Sequence, residues 1–204
     1  MKNRDFIITS LQPWDIEIGS TIKNTALEIS KNNRVLYINT PMDYSTRLRG
    51  NKNKAWTRRM DVIKKQASPI RQINEHMWIA DCPFCVLPVG GLPTTCLFDW
   101  INRINNRKIA DYIRQITAQL NFNNYIHLID TDIYRSQYLK EYLTPSLSIY
   151  YCRDFVIGES YWKKNGVRLE PLLAAKSDIV LANSTHFAER FRQYNRHTFS
   201  IETG

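Results

Sequence analysis

Short apolar runs and helical stripes alternate along this chain. Phe6 to Thr9 is an apolar run that Gln12-Pro13-Trp14-Asp15 breaks; Ile18, Ile22, Ala26 and Ile29 mark one helical face; Val35 to Ile38 is the next apolar run. Strand, helix and strand in under forty residues make a βαβ unit. Such a unit needs a crossover helix and builds a parallel sheet, with ligand sites at the carboxyl ends of its strands. The loop after the first strand is therefore a prime position for a site.

The pattern is less regular in the middle and recovers afterwards. Ile70 to Ile73 and Met77 to Ala80 read as two short strands joined near Asn74-Glu75, followed by the irregular passage CPFCVLPVGGLP. Ile101, Ile109, Ile113, Ile116 and Leu120 then share one face of a long helix. Tyr125 to Ile129 is a buried strand ending in Asp130-Thr131-Asp132, and a short helix falls near Tyr134 to Leu143. Leu147 to Tyr151, Ile179 to Ala182 and Thr198 to Ile201 supply further strands. Ser184 is a suitable N-cap for the helix carrying Phe187, Ala188 and Phe191. The prediction is an α/β fold with a mostly parallel sheet of about six or seven strands, without internal repeats.

At 204 residues and 43% hydrophobic, the chain can bury the core of one domain. No run approaches the roughly 20 apolar residues that span a bilayer, and the amino terminus does not read as a signal peptide. A cytoplasmic location is expected. The net charge of +9 is concentrated. Arg47, Arg49, Lys52, Lys54, Arg58, Arg59, Lys64 and Lys65 face one acid, Asp61, which places +7 in a single segment. Trp56, Met60 and Ile63 recur at helical spacing inside it. Two readings stand: a basic amphipathic helix against an anionic membrane, or a solvated helix whose apolar residues face the core.

Candidate chemistry is sparse. Cys82-Pro83-Phe84-Cys85 has dithiol spacing, but Val86-Leu87-Pro88-Val89-Gly90-Gly91 cannot continue the helix whose N-terminus would activate it, so buried or partly buried reduced thiols are expected there and at Cys96 and Cys152. Asp130 and Asp132 could hold a divalent ion, or Asp132 could cap the next helix. The four histidines are scattered, and His127 reads as packed within a strand. Neither GxGxxG nor GxxxxGK[ST] occurs, so no cofactor is expected. Trp14, Asp15 and Gly19 precede a helix whose first amides could receive a phosphate or a sugar hydroxyl; an ordinary βα turn is the alternative.

Taken together, VLYIN, LPVGGLP, INRINNRKIA, IYYCRDF, LLAAKSDIVLANSTHFAERF and TFSIETG resemble the N-terminal half of a bacterial GT-B glycosyltransferase. The closest likeness is to the retaining group 1 (family 4) enzymes that build surface polysaccharides. Relatives commonly carry VYDCVDD where this chain has Ile149 to Phe155. Cys152 and Asp154 match, whereas Tyr151 and Phe155 stand where relatives have acids. The resemblance implies a Rossmann-like three-layer acceptor domain over residues 1–204, with the donor domain absent and the isolated domain inactive. It implies a nucleotide-sugar donor, held by the missing half, and a glycan or lipid-linked acceptor. Asp154 would orient the acceptor hydroxyl or balance positive charge, Arg153 would meet a phosphate, and Asp15, Gly19, Trp14 and Asp130 would line the crevice. Trp56, Arg58, Arg59, Lys64 and Lys65 would contact the inner membrane face, and no nucleic acid partner is expected. Two rivals remain: a metal-dependent GT-A transferase using Asp130 and Asp132, and a non-enzymatic flavodoxin-like or nucleic-acid-binding module using the basic segment.

Overall fold

The computed structural model describes residues 1–16, 19–51 and 53–201. The expectations placed on Ile18, Lys52 and the terminal Glu202-Thr203-Gly204 lie outside the described residues. The elements run β1 (Asp5–Ser10), α1 (Thr21–Ser30), β2 (Arg34–Ile38), α2 (Tyr44–Arg49), α3 (Lys54–Ile63), β3 (Ile70–Asn74), β4 (Met77–Ala80), α4 (Thr95–Gln119), β5 (Ile126–Asp130), α5 (Leu139–Leu143), β6 (Leu147–Cys152), a 3-10 turn (Val156–Gly158), α6 (Ser160–Lys176), β7 (Ile179–Ala182), α7 (Thr185–Arg192) and β8 (Thr198–Ser200).

The strands form one eight-stranded sheet in the order β3-β4-β2-β1-β5-β6-β7-β8, one more strand than the upper sequence expectation. Every pairing is parallel except β3 with β4, whose short connection permits an antiparallel hairpin. Alternation along the strands makes the layers. Phe6, Ile8, Val35, Tyr37, Met77, Ile79 and Leu128 pack with Ile22 and Ala26 of α1. Ile7, Leu36, Ile38 and Ala80 turn the other way, onto Ile109, Ile113 and Ile116 of α4. On that second side Ile129, Tyr150 and Val180 meet Leu169, Leu173 and Ala174 of α6 and Phe191 of α7. The result is a Rossmann-like helix–sheet–helix domain.

Polar side chains fix the helix ends. Ser20, Asp43, Asn53, Thr94 and Ser184 each accept from a first-turn amide, satisfying donors that lack an intrahelical partner. Three asparagines buried on α4 hold the flanking loops. Asn102 and Asn106 donate to the Tyr134 carbonyl, both at 2.9 Å, and Asn105 exchanges two 2.9 Å bonds with the backbone of Leu87. The Pro- and Gly-rich passage is thereby tied down, and Gly90 leaves room for the ring of Tyr161, which a Cβ would strike.

Candidate functional site

In the sheet order, β1 is followed toward β2 and β5 is followed toward β6, so the chain reverses direction between β1 and β5. That switch point opens a crevice at the carboxyl ends of the two strands, where open α/β sheets bind their ligands. Ser10 and Asp130 are register partners at this spot. The Ser10 hydroxyl donates to Asp130 Oδ2 at 2.7 Å. Arg153, directly after β6, donates Nε to Asp130 Oδ1 at 3.1 Å and Nη2 to Oδ2 at 3.4 Å. Burial pushes Asp130 above the usual carboxylate range, opposed by Arg153 and Ser10. Burial also pulls Arg153 down, and the bonds to Asp130 more than reverse that, so its pKa is raised. With three donors on one carboxylate, the geometry is that of a charged pair.

Arg153 carries the crevice outward. Its Nη1 stands 2.9 Å from Asp154 Oδ2, whose side chain is 55% exposed, and its Nη2 reaches Gln12 Oε1 at 3.4 Å. Asp154 is therefore an accessible carboxylate held by an arginine that is itself anchored to a buried one. Between the strand tips, Thr131 adopts φ 58°, a left-handed conformation unusual for a β-branched residue. Bonds from its amide to Tyr151 O (3.0 Å) and from Arg153 N to its hydroxyl (3.4 Å) hold the strained turn.

A second network covers the ends of β2 and β4. Asn39 accepts from Trp14 N at 2.7 Å and donates to Asp15 Oδ2 at 3.0 Å and to buried Asp81 Oδ1 at 2.7 Å. Arg71 Nη2 meets Asp15 Oδ1 at 2.7 Å, and Arg58 Nε meets Asp81 Oδ2 at 3.1 Å. The first loop thus spans both networks, with Gln12 toward Arg153 and Trp14-Asp15 toward Asn39. Trp14 lies edge-on to Tyr37 at 5.3 Å, under the ammonium of Lys23 at 5.5 Å. Gly19 is exposed with open space around its Cα, and Ser20 takes the capping position of α1.

Other sequence expectations resolve plainly. Asp132 turns to Arg135, accepting from its amide at 3.2 Å with the guanidinium at 3.9 Å, so Asp130 and Asp132 are each engaged by a different arginine. Among the described residues no group of three His, Cys, Asp or Glu could hold a metal ion. Cys82, Cys85 and Cys152 are buried free thiols, and burial pushes Cys82 up to about 12, the reverse of an activated thiolate. Cys96 corrects the expectation of burial: it lies exposed in the first turn of α4. His127 is fully buried, with Nε2 2.9 Å from the Thr9 hydroxyl. No helix among the described residues is long and apolar enough to cross a membrane.

The basic segment divides. Trp56 and Ile63 pack inward against Met42, Met60 and Cys85, so the apolar stripe of α3 faces the protein. Arg58 serves Asp81, and Arg59 is largely enclosed, whereas Lys64 and Lys65 are exposed together with Arg47 and Arg49.

Sequence reasoning singled out Asp130 because it closes an apolar run, and Arg153 and Asp154 through the resemblance of IYYCRDF. Ser10, Asn39 and Asp81 carry the same signal, a polar residue closing or directly following a strand, and were missed. Arg71 and Arg135 offer no local signal; the fold alone brings them to this edge. A broad surface depression lined by Asn3, Asp5, Arg34 and His76 lies at the opposite, amino edge of the sheet, away from these groups.

No family model matches the chain, and no curated protein matches it. Among solved structures, a sucrose-phosphate synthase from Thermosynechococcus elongatus is similar in fold, with a TM-score of 0.56 over 98% of this chain and 90% of that one at 10% sequence identity. At that identity the likeness is one of fold.

Proposed function

We propose that this chain is the acceptor-side domain of a GT-B glycosyltransferase, working with a separate donor-binding domain and inactive alone. The observation that carries the reading is Asp154, half exposed beside the switch-point crevice and oriented by Arg153. The fold shared with a sucrose-phosphate synthase, an enzyme named for a phosphorylated disaccharide, supports the same class. In the reaction, an acceptor hydroxyl forms a bond to the sugar's anomeric carbon while the nucleoside diphosphate leaves with the electron pair of the broken bond and takes up the hydroxyl proton. Asp154 accepts a hydrogen bond from that hydroxyl and balances positive charge on the sugar. Such transfers depend on placed charges more than on a strong base. Buried Asp130 does not touch substrate in this scheme; it positions Arg153. Trp14, Asp15 and Gly19 form the facing wall, and acceptors are glycans or lipid-linked saccharides of envelope polysaccharide synthesis.

Saturation-transfer NMR on the 204-residue chain tests this. Neutral oligosaccharides are expected to bind weakly, with about tenfold loss in Asp154→Ala, since a hydrogen bond to a charged group contributes about 1.5–3 kcal/mol. Glycan binding that ignores Asp154, or sugar transfer by this chain alone, overturns the proposal.

A further inference from the structure

Six large apolar side chains that stand in solvent gather round one passage of the chain, residues 82–93. Leu48, on α2, is 87% exposed and Trp100, on α4, 62%; Tyr44, Leu87, Ile104 and Tyr161 are exposed as well. Hydrogen bonds hold their elements against the passage. The Tyr44 amide donates to Val86 O at 3.1 Å and the Val86 amide to Met42 O at 2.9 Å, which seats the start of α2 there. Asn105 bonds the Leu87 backbone in both directions, and Lys108 Nζ donates to Cys85 O at 3.1 Å, which seats α4. Tyr161, at the start of α6, lies over Gly90, and Lys164 Nζ donates to Leu92 O at 2.7 Å. One small cleft is lined by Asp43, Leu87, Asn105 and Tyr161 together, so the three helices meet round it. At about 100° per residue, Ile104 and then Trp100 follow Asn105 round to the outer side of α4. Leu48 lies one turn beyond Tyr44 on a helix that buries none of its residues.

We propose that this face docks on an anionic phospholipid bilayer, with Leu48, Leu87 and Trp100 entering the headgroup layer and basic side chains meeting lipid phosphates. Single exposed apolar residues are ordinary on a surface, whereas several held on one face mark a contact. The charges among them select the partner. Arg47 and Arg49 flank Leu48, Arg103 precedes Ile104, and Lys163 and Lys164 follow Tyr161, all of them exposed. Lys65 shares a depression with Pro83 at the other end of the passage. The acids beside them are occupied: Asp43 accepts from Thr46 N at 2.6 Å and the Ser45 hydroxyl at 2.7 Å, and Asp99 pairs with Arg168 at 2.7 Å. A protein interface is depleted of lysine, while membrane-surface segments mix Trp, Tyr and Leu with Lys and Arg, whose long stems lie along apolar surface while their charges reach the phosphates. Trp56, which the sequence offered for insertion, is turned inward, and Trp100 stands outside instead. The cleft at the centre of the face also has Arg135 in its lining, and Arg135 lines a second space with Ser10 and Asp132 beside the switch point. Docking therefore brings the crevice close to the lipid surface; that this serves a lipid-linked acceptor rests on the transferase reading above.

The test is flotation of the 204-residue chain with vesicles of equal parts phosphatidylglycerol and phosphatidylcholine. Wild type is expected to bind, less tightly as salt rises. Leu48→Asp and Trp100→Asp, at exposed positions where folding tolerates a charge, each lower the partition coefficient by about tenfold or more, because an apolar side chain that leaves water on docking is lost. Phe199→Asp leaves it unchanged: Phe199 is also exposed, but on β8, at the other end of the sheet from β2 and β4. Tryptophan emission reports insertion, since lipids brominated along their acyl chains are expected to quench wild type more than Trp100→Phe. Equal partition of wild type, Leu48→Asp and Trp100→Asp, or quenching that Trp100→Phe leaves intact, overturns the docking face. Binding to polyglutamate without binding to vesicles makes the partner an acidic protein and overturns it as well. The vesicles contain no glycan, so the two readings separate: vesicle binding with no glycan binding keeps the face and overturns the transferase reading, and the converse overturns the face alone.

Discussion

Asp130 fixes where Asp154 points, through Arg153. Replacing Asp130 by Asn leaves a mostly buried guanidinium facing a neutral amide. Breaking a buried pair from one side costs about 3–5 kcal/mol, so urea unfolding of Asp130→Asn is expected to show a loss of that order. A loss below about 1 kcal/mol, the range of surface pairs, would show that the pair does not anchor the site. His127 gives a pH signature. Burial takes it from 6.5 to about 3. Between those values the unfolded chain binds the proton and the folded one does not, so stability present above about pH 6.5 is lost as pH falls toward 3. On going from pH 7 to pH 5 this group removes on the order of 2 kcal/mol. His127→Gln is expected to lose that part of the slope, and an identical slope in the variant would assign it elsewhere. At this scale, the sequence marked Asp154 and Arg153 through the resemblance of IYYCRDF. It could not show that Asp130 is buried and occupied, because its partners lie 120 and 23 residues away.

At the scale of elements, tertiary packing decides the sign of substitutions that local propensity would misjudge. Gly166 lies inside α6, where Ala is ordinarily better by about 1 kcal/mol. A Cβ there would stand 2.7 Å from Ile133 Cδ1 and 2.9 Å from Ile157 Cγ2. Gly166→Ala is therefore expected to destabilise by about 1–3 kcal/mol, measured by urea unfolding; a stabilised variant would mean that α6 can lift off its neighbours. The stripe of Trp56, Met60 and Ile63 was legible as an amphipathic helix, with its direction undetermined. Since α3 turns that stripe onto Met42 and Cys85, Trp56→Ala is expected to lower stability by about 2 kcal/mol and to leave any affinity for anionic vesicles intact. Reduced vesicle binding at unchanged stability would put Trp56 at a membrane after all.

For the whole molecule, the sheet order matters more than any single element. Contact with an anionic membrane, which we propose as part of the transferase reading, falls to exposed Arg47, Arg49, Lys64 and Lys65. Each contributes about 1 kcal/mol near such a surface. Reversing these four charges is expected to abolish salt-sensitive binding to phosphatidylglycerol vesicles, and retention of that binding would remove the surface role. Arg58, in the same segment, is committed to buried Asp81 by the way α3 packs.

The alternation of apolar runs and helical stripes by itself determined a parallel α/β sheet, and with it that chemistry would lie after the strands, because a βαβ unit admits few other geometries. Local spacing also marked the cap at Ser184. Only the tertiary structure decided that the chain reverses between β1 and β5, that Asn39, Asp81 and Arg71 join Asp15, and that Arg59 is largely enclosed with no ion-pair partner among the described residues. Those facts depend on strand order and on contacts between residues distant in the chain, which no local periodicity encodes.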